Sequence, residues 1–276
     1  MTSATLAWVL DRLNYGERVA LASVVGAIGS VPGKPGARMA VTNLGNRHGT
    51  IGGAGLELKV EAHLGQMLVN GSSSSRVETY VLHRDAKGQE VTALDSLCGG
   101  RVTVSLEVLE PMPHILIAGG GHCGQAVAAA CDNLGWSHSV FDVREEYANE
   151  DRFPFATELH TDNVEGFLAS EDRDSLERFS DVLLLGHDWA VDEDFLIRVL
   201  KERGNGRRPR IGAIGSKSKW KSFSKSAIGA GIAEDDIGSV RCPIGLQIGA
   251  DSPEEIALAV CSEILSLEKV VNTHED

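Results

Sequence analysis

The sequence predicts an α/β protein: an α+β portion over residues 1–110, then, from residue 114 to 276, a portion built on a parallel sheet covered by helices. Three observations predict it. The first portion mixes half-buried strand patterns with two amphipathic helices, the second alternates continuous apolar runs with helical segments, and Pro111 and Pro113 stand between them. Proline removes an amide donor and restricts the residue before it, so the domain boundary is placed there. A length of 276 residues fits two domains at roughly 100–200 residues each.

In the first portion, Leu6, Val9, Leu10 and Leu13 fall at i, i+3, i+4 and i+7, which predicts a helix over residues 3–14 with these four on its inward face. Two strand patterns follow, from Arg18 and from Ala37, separated by the turn-forming stretch Val31 to Gly36. A second helix is predicted from Leu56 to Val69 with Leu56, Val60, Leu64, Met67 and Leu68 inward, ending in the polar loop Asn70 to Ser75. Strands then begin at Arg76 and Arg101; the second alternates Val102, Val104, Leu106 and Val108 in the period of a half-buried strand.

In the second portion the strand patterns are HILIAGG from His114, HSVFDV from His138, DVLLLGH from Asp181 and RIGAIGS from Arg210, with helices predicted from about Gly121 and over Asp192 to Arg203. The last helix carries its own start signal. Ser252-Pro253-Glu254-Glu255 is a capping box with proline at the first helical position, and Ile256, Val260, Ile264 and Leu267 form the stripe to be buried.

Composition limits the function. Twenty-six basic against thirty-nine acidic residues give a net charge of −13, which opposes a broad nucleic-acid surface. No run of 18 apolar residues occurs, and the N-terminal stretch is amphipathic without a basic flank, so a cytoplasmic protein with no membrane partner is expected. Cys98, Cys123, Cys131, Cys242 and Cys261 are odd in number and contain no C-x-x-C pair, so free thiols are expected and neither disulfides nor a dedicated metal site.

The sharpest chemical signal is Gly119-Gly120-Gly121-His122-Cys123-Gly124, which matches G-x-G-x-x-G between a strand and a helix. In that pattern the first glycine permits the tight turn, the second lets backbone approach a pyrophosphate, and the third lets the helix pack closely. Asp142 closes the next strand 23 positions after Gly119, the distance of a ribose-binding carboxylate. Together they predict a Rossmann-type domain; the alternative is a tight crossover that binds nothing.

A second glycine turn, Gly215-Ser216-Lys217-Ser218-Lys219, would suit a phosphate at a helix N-terminus, or its lysines form a solvated face. Arg203, Arg207, Arg208 and Arg210 read as a solvated loop. In the first portion, Gly29 to Ala37 with Ser30, Thr50 to Glu57 with Gly52 and Gly53, and Cys98-Gly99-Gly100 offer small residues and free amides for an anionic or extended ligand, or simply tight turns. Cys98 is either a soft ligand or an inert thiol.

Taken in order, these motifs resemble the XdhC/CoxI family of molybdoenzyme accessory proteins, the xanthine dehydrogenase accessory factors. The resemblance spans nearly the whole chain. It is carried by G-S-x-P-x-x-P-G-A as Gly29 to Ala37, G-T-I-G-G…L-E as Gly49 to Glu57, C-G-G as Cys98 to Gly100, the Gly119 to Gly124 loop, Gly186-His187-Asp188 with Asp192 to Leu196, I-G-S-K-x-K as Ile214 to Lys219, and Cys242 to Leu246 with Pro253 to Ala257. It departs from expectation at Cys123, a thiol inside the glycine loop.

The resemblance implies an XdhC-type domain followed by a Rossmann-like domain. It also implies a non-catalytic role, in which the chain binds the molybdenum cofactor (molybdopterin) and assists its sulfuration and insertion into a xanthine dehydrogenase-type hydroxylase. The cofactor-binding residues expected are Gly119, Gly120, Gly121, His122, Gly124, Asp142, Gly215, Ser216 and Lys217, with Ser30, Gly52, Gly53, Glu57 and Cys98 in the first portion. The expected partners are the hydroxylase client and a cysteine desulfurase, and a homodimer is expected because symmetric dimers are the commonest oligomers. The rival reading is an NAD(P)-dependent oxidoreductase using the glycine loop and Asp142, although no Tyr-Lys or His-carboxylate pair is evident for hydride chemistry. A third is a nucleotide-sensing interaction module.

Overall fold

The structure is a computed structural model and describes residues 2–70, 75–82, 91–93, 100–171, 173–203 and 208–270. The chain folds as two compact units, one holding Met1–Pro111 and the other Met112–Glu268.

The first unit runs α1 (Thr2–Asn14), β1 (Val19–Ile28), β2 (Arg38–Thr42), β3 (Arg47–Thr50), α2 (Ala54–Val69), β4 (Arg76–Val81), β5 (Val91–Ala93) and β6 (Arg101–Leu109). Its sheet has the order β3-β2-β1-β6-β4-β5, antiparallel except where β5 joins β4. The period-two pattern of β6 sets the register. Val102, Val104 and Leu106 face inward, and Val104 and Leu106 pair with Val24 and Ala22 of β1. The α2 stripe of Leu56, Val60, Leu64, Met67 and Leu68 covers that face as predicted, because all five lie on one side of a 3.6-residue helix.

The first helix corrects the sequence reading. Val9 is buried, but Leu6 and Leu10 are 43% and 59% exposed; the inward residues are Thr5 and Val9, with Trp8 and Leu13 partly covered. The helix rests on the small patch Val19, Leu21 and Ala40, which is wide enough for one stripe and not for the two adjacent ones that the leucine spacing offers.

The second unit runs β7 (His114–Ala118), α3 (His122–Leu134), β8 (Ser137–Phe141), β9 (Leu159–His160), α4 (Val164–Ala169), α5 (Arg173–Leu176), β10 (Asp181–Leu184), α6 (Trp189–Arg203), β11 (Arg210–Ala213), α7 (Lys217–Gly229), α8 (Glu234–Gly238) and α9 (Pro253–Val270). All five strands are parallel, in the order β11-β10-β7-β8-β9. This is the Rossmann-like arrangement, and the direction of winding reverses between β7 and β10.

Both faces of the sheet are buried, which is why its strands read as continuous apolar runs. Leu116, Val182, Leu184 and Ile211 pack with Phe195, Leu196 and Phe223 on one side. Ile115, Ile117, Val140 and Leu183 pack with Val127, Val260 and Ile264 on the other. The last helix starts as predicted: Glu255 N donates to Ser252 Oγ at 3.2 Å while Ser252 N donates to Glu255 Oε2 at 3.1 Å, a reciprocal capping box.

The arginine segment also differs from expectation. Arg203 is 5% exposed and donates to Ser239 Oγ at 3.0 Å, Arg208 pairs with Glu268, and Arg210 pairs with Asp181 and Glu268; Arg207 lies outside the described residues. Asp181 opens β10 with no exposure and also holds Arg241, so Arg210 and Arg241 answer a buried carboxylate rather than solvent.

Candidate functional site

The second unit concentrates its functional features at the C-terminal ends of β7, β8 and β10, where the winding reverses. Parallel α/β sheets leave a crevice at such a point, since the connections to either side depart from opposite faces. Here the crevice is a cavity of about 330 Å³ whose walls include Gly119, Asp142, Arg144, Gly186, Asp192 and Phe195.

The three motif glycines have three different geometric roles. Gly119 sits at φ +121°, and a Cβ there would lie 2.5 Å from Gly186 N, so the β7 turn is packed backbone to backbone on the end of β10. A Cβ at Gly124 would lie 2.2 Å from Gly119 O, so this glycine lets α3 approach the loop. A Cβ at Gly121 would meet no atom within 4 Å among the described residues. Gly121 is also the N-cap of α3, with no side chain among the described residues capping the first turn. The backbone there is open to an incoming group, which is the arrangement that suits a phosphate. Gly120 is held from the other side, because a Cβ on it would fall 1.8 Å from Tyr147 O.

Asp142 is 5% exposed and accepts four hydrogen bonds: from Gly120 N at 3.0 Å, Arg144 N at 3.1 Å, Arg144 Nε at 2.9 Å and Arg144 Nη2 at 2.8 Å. Burial pushes its carboxyl upward, but the donors of Arg144 and Gly120 together hold it below the usual range. The Arg144 guanidinium lies 3.7 Å from the centre of the Tyr147 ring. Arg144 is the residue that sequence reasoning missed; its only signal was a cation two positions after the strand-end aspartate.

Deeper in the crevice, Asp192 of α6 meets Lys219 of α7, Nζ to Oδ2 2.7 Å, with side chains 3% and 6% exposed. Burial pushes the Asp192 carboxyl up, against the pull of Lys219. Lys219 is therefore neither a solvated lysine nor a free phosphate ligand. Gly215 leaves room for its stem, a Cβ there falling 2.8 Å from Lys219 Cδ, and Ser216 caps α7 by accepting from Lys219 N at 3.3 Å. Lys217, His122 and His187 are exposed, and His187 lies on the crevice wall. Cys123 is half-buried against the core around Val127, and burial followed by Glu254 raises its thiol, so it is not an activated nucleophile.

In the first unit the motif loops converge. A Cβ at Gly33 would fall 2.1 Å from Ile51 O, one at Gly52 would fall 2.4 Å from Gly33 Cα, and one at Gly100 would fall 2.7 Å from Ser30 O. The loops thus interlock through backbone. Gly52 stands at φ +110°, and its N–H donates to Glu57 Oε1 at 3.3 Å, while Thr50 Oγ1 donates to the same oxygen. Burial raises the Glu57 carboxyl, but Thr50 and the amides of Gly52, Gly53 and Ile51 bring it below its ordinary value. These amides already hold a carboxylate. Ser30 is exposed, and Cys98 lies outside the described residues. The structure thus places Gly119 and Asp142 on the wall of one crevice in the second unit, with Gly120 bonded to Asp142 and Gly124 packed on Gly119, and it brings Ser30, Gly52, Gly53 and Glu57 to one loop cluster in the first.

Among the described residues no group of three or more His, Cys, Asp or Glu is placed to hold a metal ion, and no helix is long and apolar enough to cross a membrane.

Residues 115–264 match the XdhC Rossmann domain, and residues 13–81 match the XdhC and CoxI family. The chain belongs to the XdhC/CoxI family. Among its relatives, Escherichia coli K12 YqeB is 29% identical over 90% of this chain and 43% of that protein. A Bacillus subtilis 168 protein described as a probable xanthine dehydrogenase subunit is 25% identical over 60% of this chain and 46% of that one. The XdhC/CoxI chain thus spans less than half the length of these curated relatives. A crystal structure described as a xanthine dehydrogenase from Bacillus halodurans shares the fold, with TM-score 0.51 and 19% identity, covering 98% of this chain and 97% of that one.

Proposed function

We propose that this chain is a cytoplasmic accessory protein that binds the molybdenum cofactor and assists its sulfuration and insertion into a xanthine dehydrogenase-type hydroxylase. The observation that carries the reading is that both portions of the chain match one family, XdhC/CoxI. The relative described as a probable xanthine dehydrogenase subunit supports the choice of client. A cysteine desulfurase that supplies the sulfur, and a symmetric homodimer, belong to the same proposal.

The residues present fit part of such a ligand. The open side of Gly121 and the uncapped start of α3 suit a phosphate, and the crevice of about 330 Å³ has the size of a small-molecule site at the lower end of the usual range. That volume has room for one ring system with its phosphate, of a pterin or a nucleotide. The cofactor itself supplies a soft, dithiolene-bound metal carrying the terminal sulfur. This chain's part is to hold the anionic end on Gly119 to Gly124 and to keep water from the reactive centre.

The switch-point crevice with its glycine loop also favours a second reading, an NAD(P)-dependent oxidoreductase. Reconstitution separates the two. Apo-hydroxylase mixed with cofactor and a sulfur donor should gain activity faster and further with this protein present. Unchanged activation, together with turnover of NAD(P) on a small substrate, would replace the accessory reading with the oxidoreductase one.

A further inference from the structure

The strand-end aspartate of a Rossmann crevice ordinarily accepts hydrogen bonds from a ribose diol. In this chain that acceptor is full. A carboxylate offers about four lone-pair positions, and Asp142 takes a hydrogen bond from Gly120 N and three from Arg144. A diol finds no acceptor there unless Arg144 withdraws, and withdrawal would leave a carboxylate that is 5% exposed without its cation.

Arg144 meanwhile faces the crevice. Its side chain is 29% exposed, it lies on the crevice wall, and its plane rests on Tyr147, so its fork is held in one orientation. A second cation supports it: Arg152 stands 5.0 Å from the same ring centre and donates Nη2 to Gly120 O at 3.0 Å, while its buried Nε has no partner among the described residues. Two guanidiniums therefore meet at the Tyr147 ring beside the glycine loop, Arg144 on the Asp142 carboxylate and Arg152 on the carbonyl of Gly120. The other crevice carboxylates are engaged elsewhere, Asp192 with Lys219 and Asp188 with the amide of Ala190 at the start of α6.

We infer that Arg144 is a specificity residue that makes this crevice prefer a nucleotide carrying a phosphate on the ribose, the 2′-phosphorylated adenine nucleotides, over one with a free ribose diol. The inference rests on reading the crevice as a nucleotide-binding site. Arg144 removes the acceptor that a diol needs and, with Nε and one Nη2 hydrogen on Asp142, presents its remaining Nη1 and Nη2 N–H groups to a phosphate monoester.

The test is equilibrium binding by calorimetry to the full chain, comparing NADP with NAD and adenosine 2′,5′-bisphosphate with 5′-AMP. Each 2′-phosphorylated ligand should bind about tenfold more tightly or better than its counterpart, with the preference weakening as salt is raised. In Arg144→Ala the ratio should fall to about one or reverse as Asp142 is freed for the diol. Arg144→Lys keeps the charge without the fork, so it should lower the preference even if the alanine variant folds poorly. Equal affinities in the wild-type chain, or a ratio unchanged in a folded variant that still binds, would overturn the inference while leaving the nucleotide site standing. Absence of binding by all four ligands would overturn the nucleotide reading and this inference with it. Pterin retention, followed in the same samples, shows whether a cofactor phosphate rather than a ribose phosphate occupies the fork; retention abolished by Arg144→Ala without nucleotide binding would count against the ribose assignment.

Discussion

Lys219→Met leaves the Asp192 carboxylate at the bottom of the crevice without its cation. The two side chains are 6% and 3% exposed, with Nζ and Oδ2 2.7 Å apart, so water can replace little of what the lysine supplies. Removing one partner of a buried pair costs about 3–5 kcal/mol, against about 0–1 kcal/mol for an exposed pair. Burial already pushes Asp192 upward, and without Lys219 it should rise further. A carboxyl whose folded pKa lies above its unfolded value favours folding at low pH and loses that contribution as pH rises, so the variant's deficit should be larger at pH 8 than at pH 5. Urea unfolding followed by tryptophan fluorescence is the assay, since Trp136, Trp189 and Trp220 all lie in the second unit. The double variant Lys219→Met with Asp192→Leu should recover most of the loss, because an apolar pair of similar volume needs no partner. A loss below about 1 kcal/mol in the single variant, or a deficit independent of pH, would mean that the carboxylate does not depend on this lysine for its charge.

The glycines of the β7 turn should separate by role: Gly119→Ala should lower stability by about 2 kcal/mol or more, while Gly121→Ala should fold normally and lose ligand affinity, and equal unfolding midpoints would contradict this. His114, buried against Phe179 with Nε2 2.8 Å from Ser139 Oγ, is pushed down to about 4, chiefly by burial. Its folded pKa lies below the unfolded one, so its contribution is complete above about pH 6.5 and drains away as pH falls toward 4, by on the order of 3 kcal/mol. His114→Phe should flatten that part of the stability curve, and an identical pH dependence in variant and wild type would count against it. Ser252→Ala removes the acceptor for Glu255 N and should lower stability by about 1 kcal/mol, with an unchanged urea midpoint as the contrary result.

Features that live in one stretch of chain were legible in the sequence. The β6 alternation, the α2 stripe, the Gly119 to Gly124 loop and the Ser252 capping box each depend on neighbours a few positions away, and the structure realises all four. What depended on distant partners was not legible. Lys219 reads in sequence as either an anion ligand or a solvated lysine because Asp192, 27 positions earlier, is brought to it only by the packing of α6 on α7. Arg210 looked solvated because Asp181, 29 positions earlier, meets it only across the β10–β11 pair. Leu6 and Leu10 have the spacing of a core face, yet the surface that α1 covers decides which stripe turns inward. At the crevice, the sequence singled out Asp142 without showing that Arg144 fills its acceptor positions, since that follows from how the chain turns after β8.

Whether this member of the XdhC/CoxI family carries the molybdenum cofactor is decided most directly by anaerobic ultrafiltration of the full chain with purified cofactor, read by pterin fluorescence, with NAD and NADP as parallel ligands. Near-stoichiometric retention of the pterin on the protein is expected. Passage of the pterin through the membrane while a nicotinamide nucleotide is retained and turned over would contradict the cofactor-carrying role.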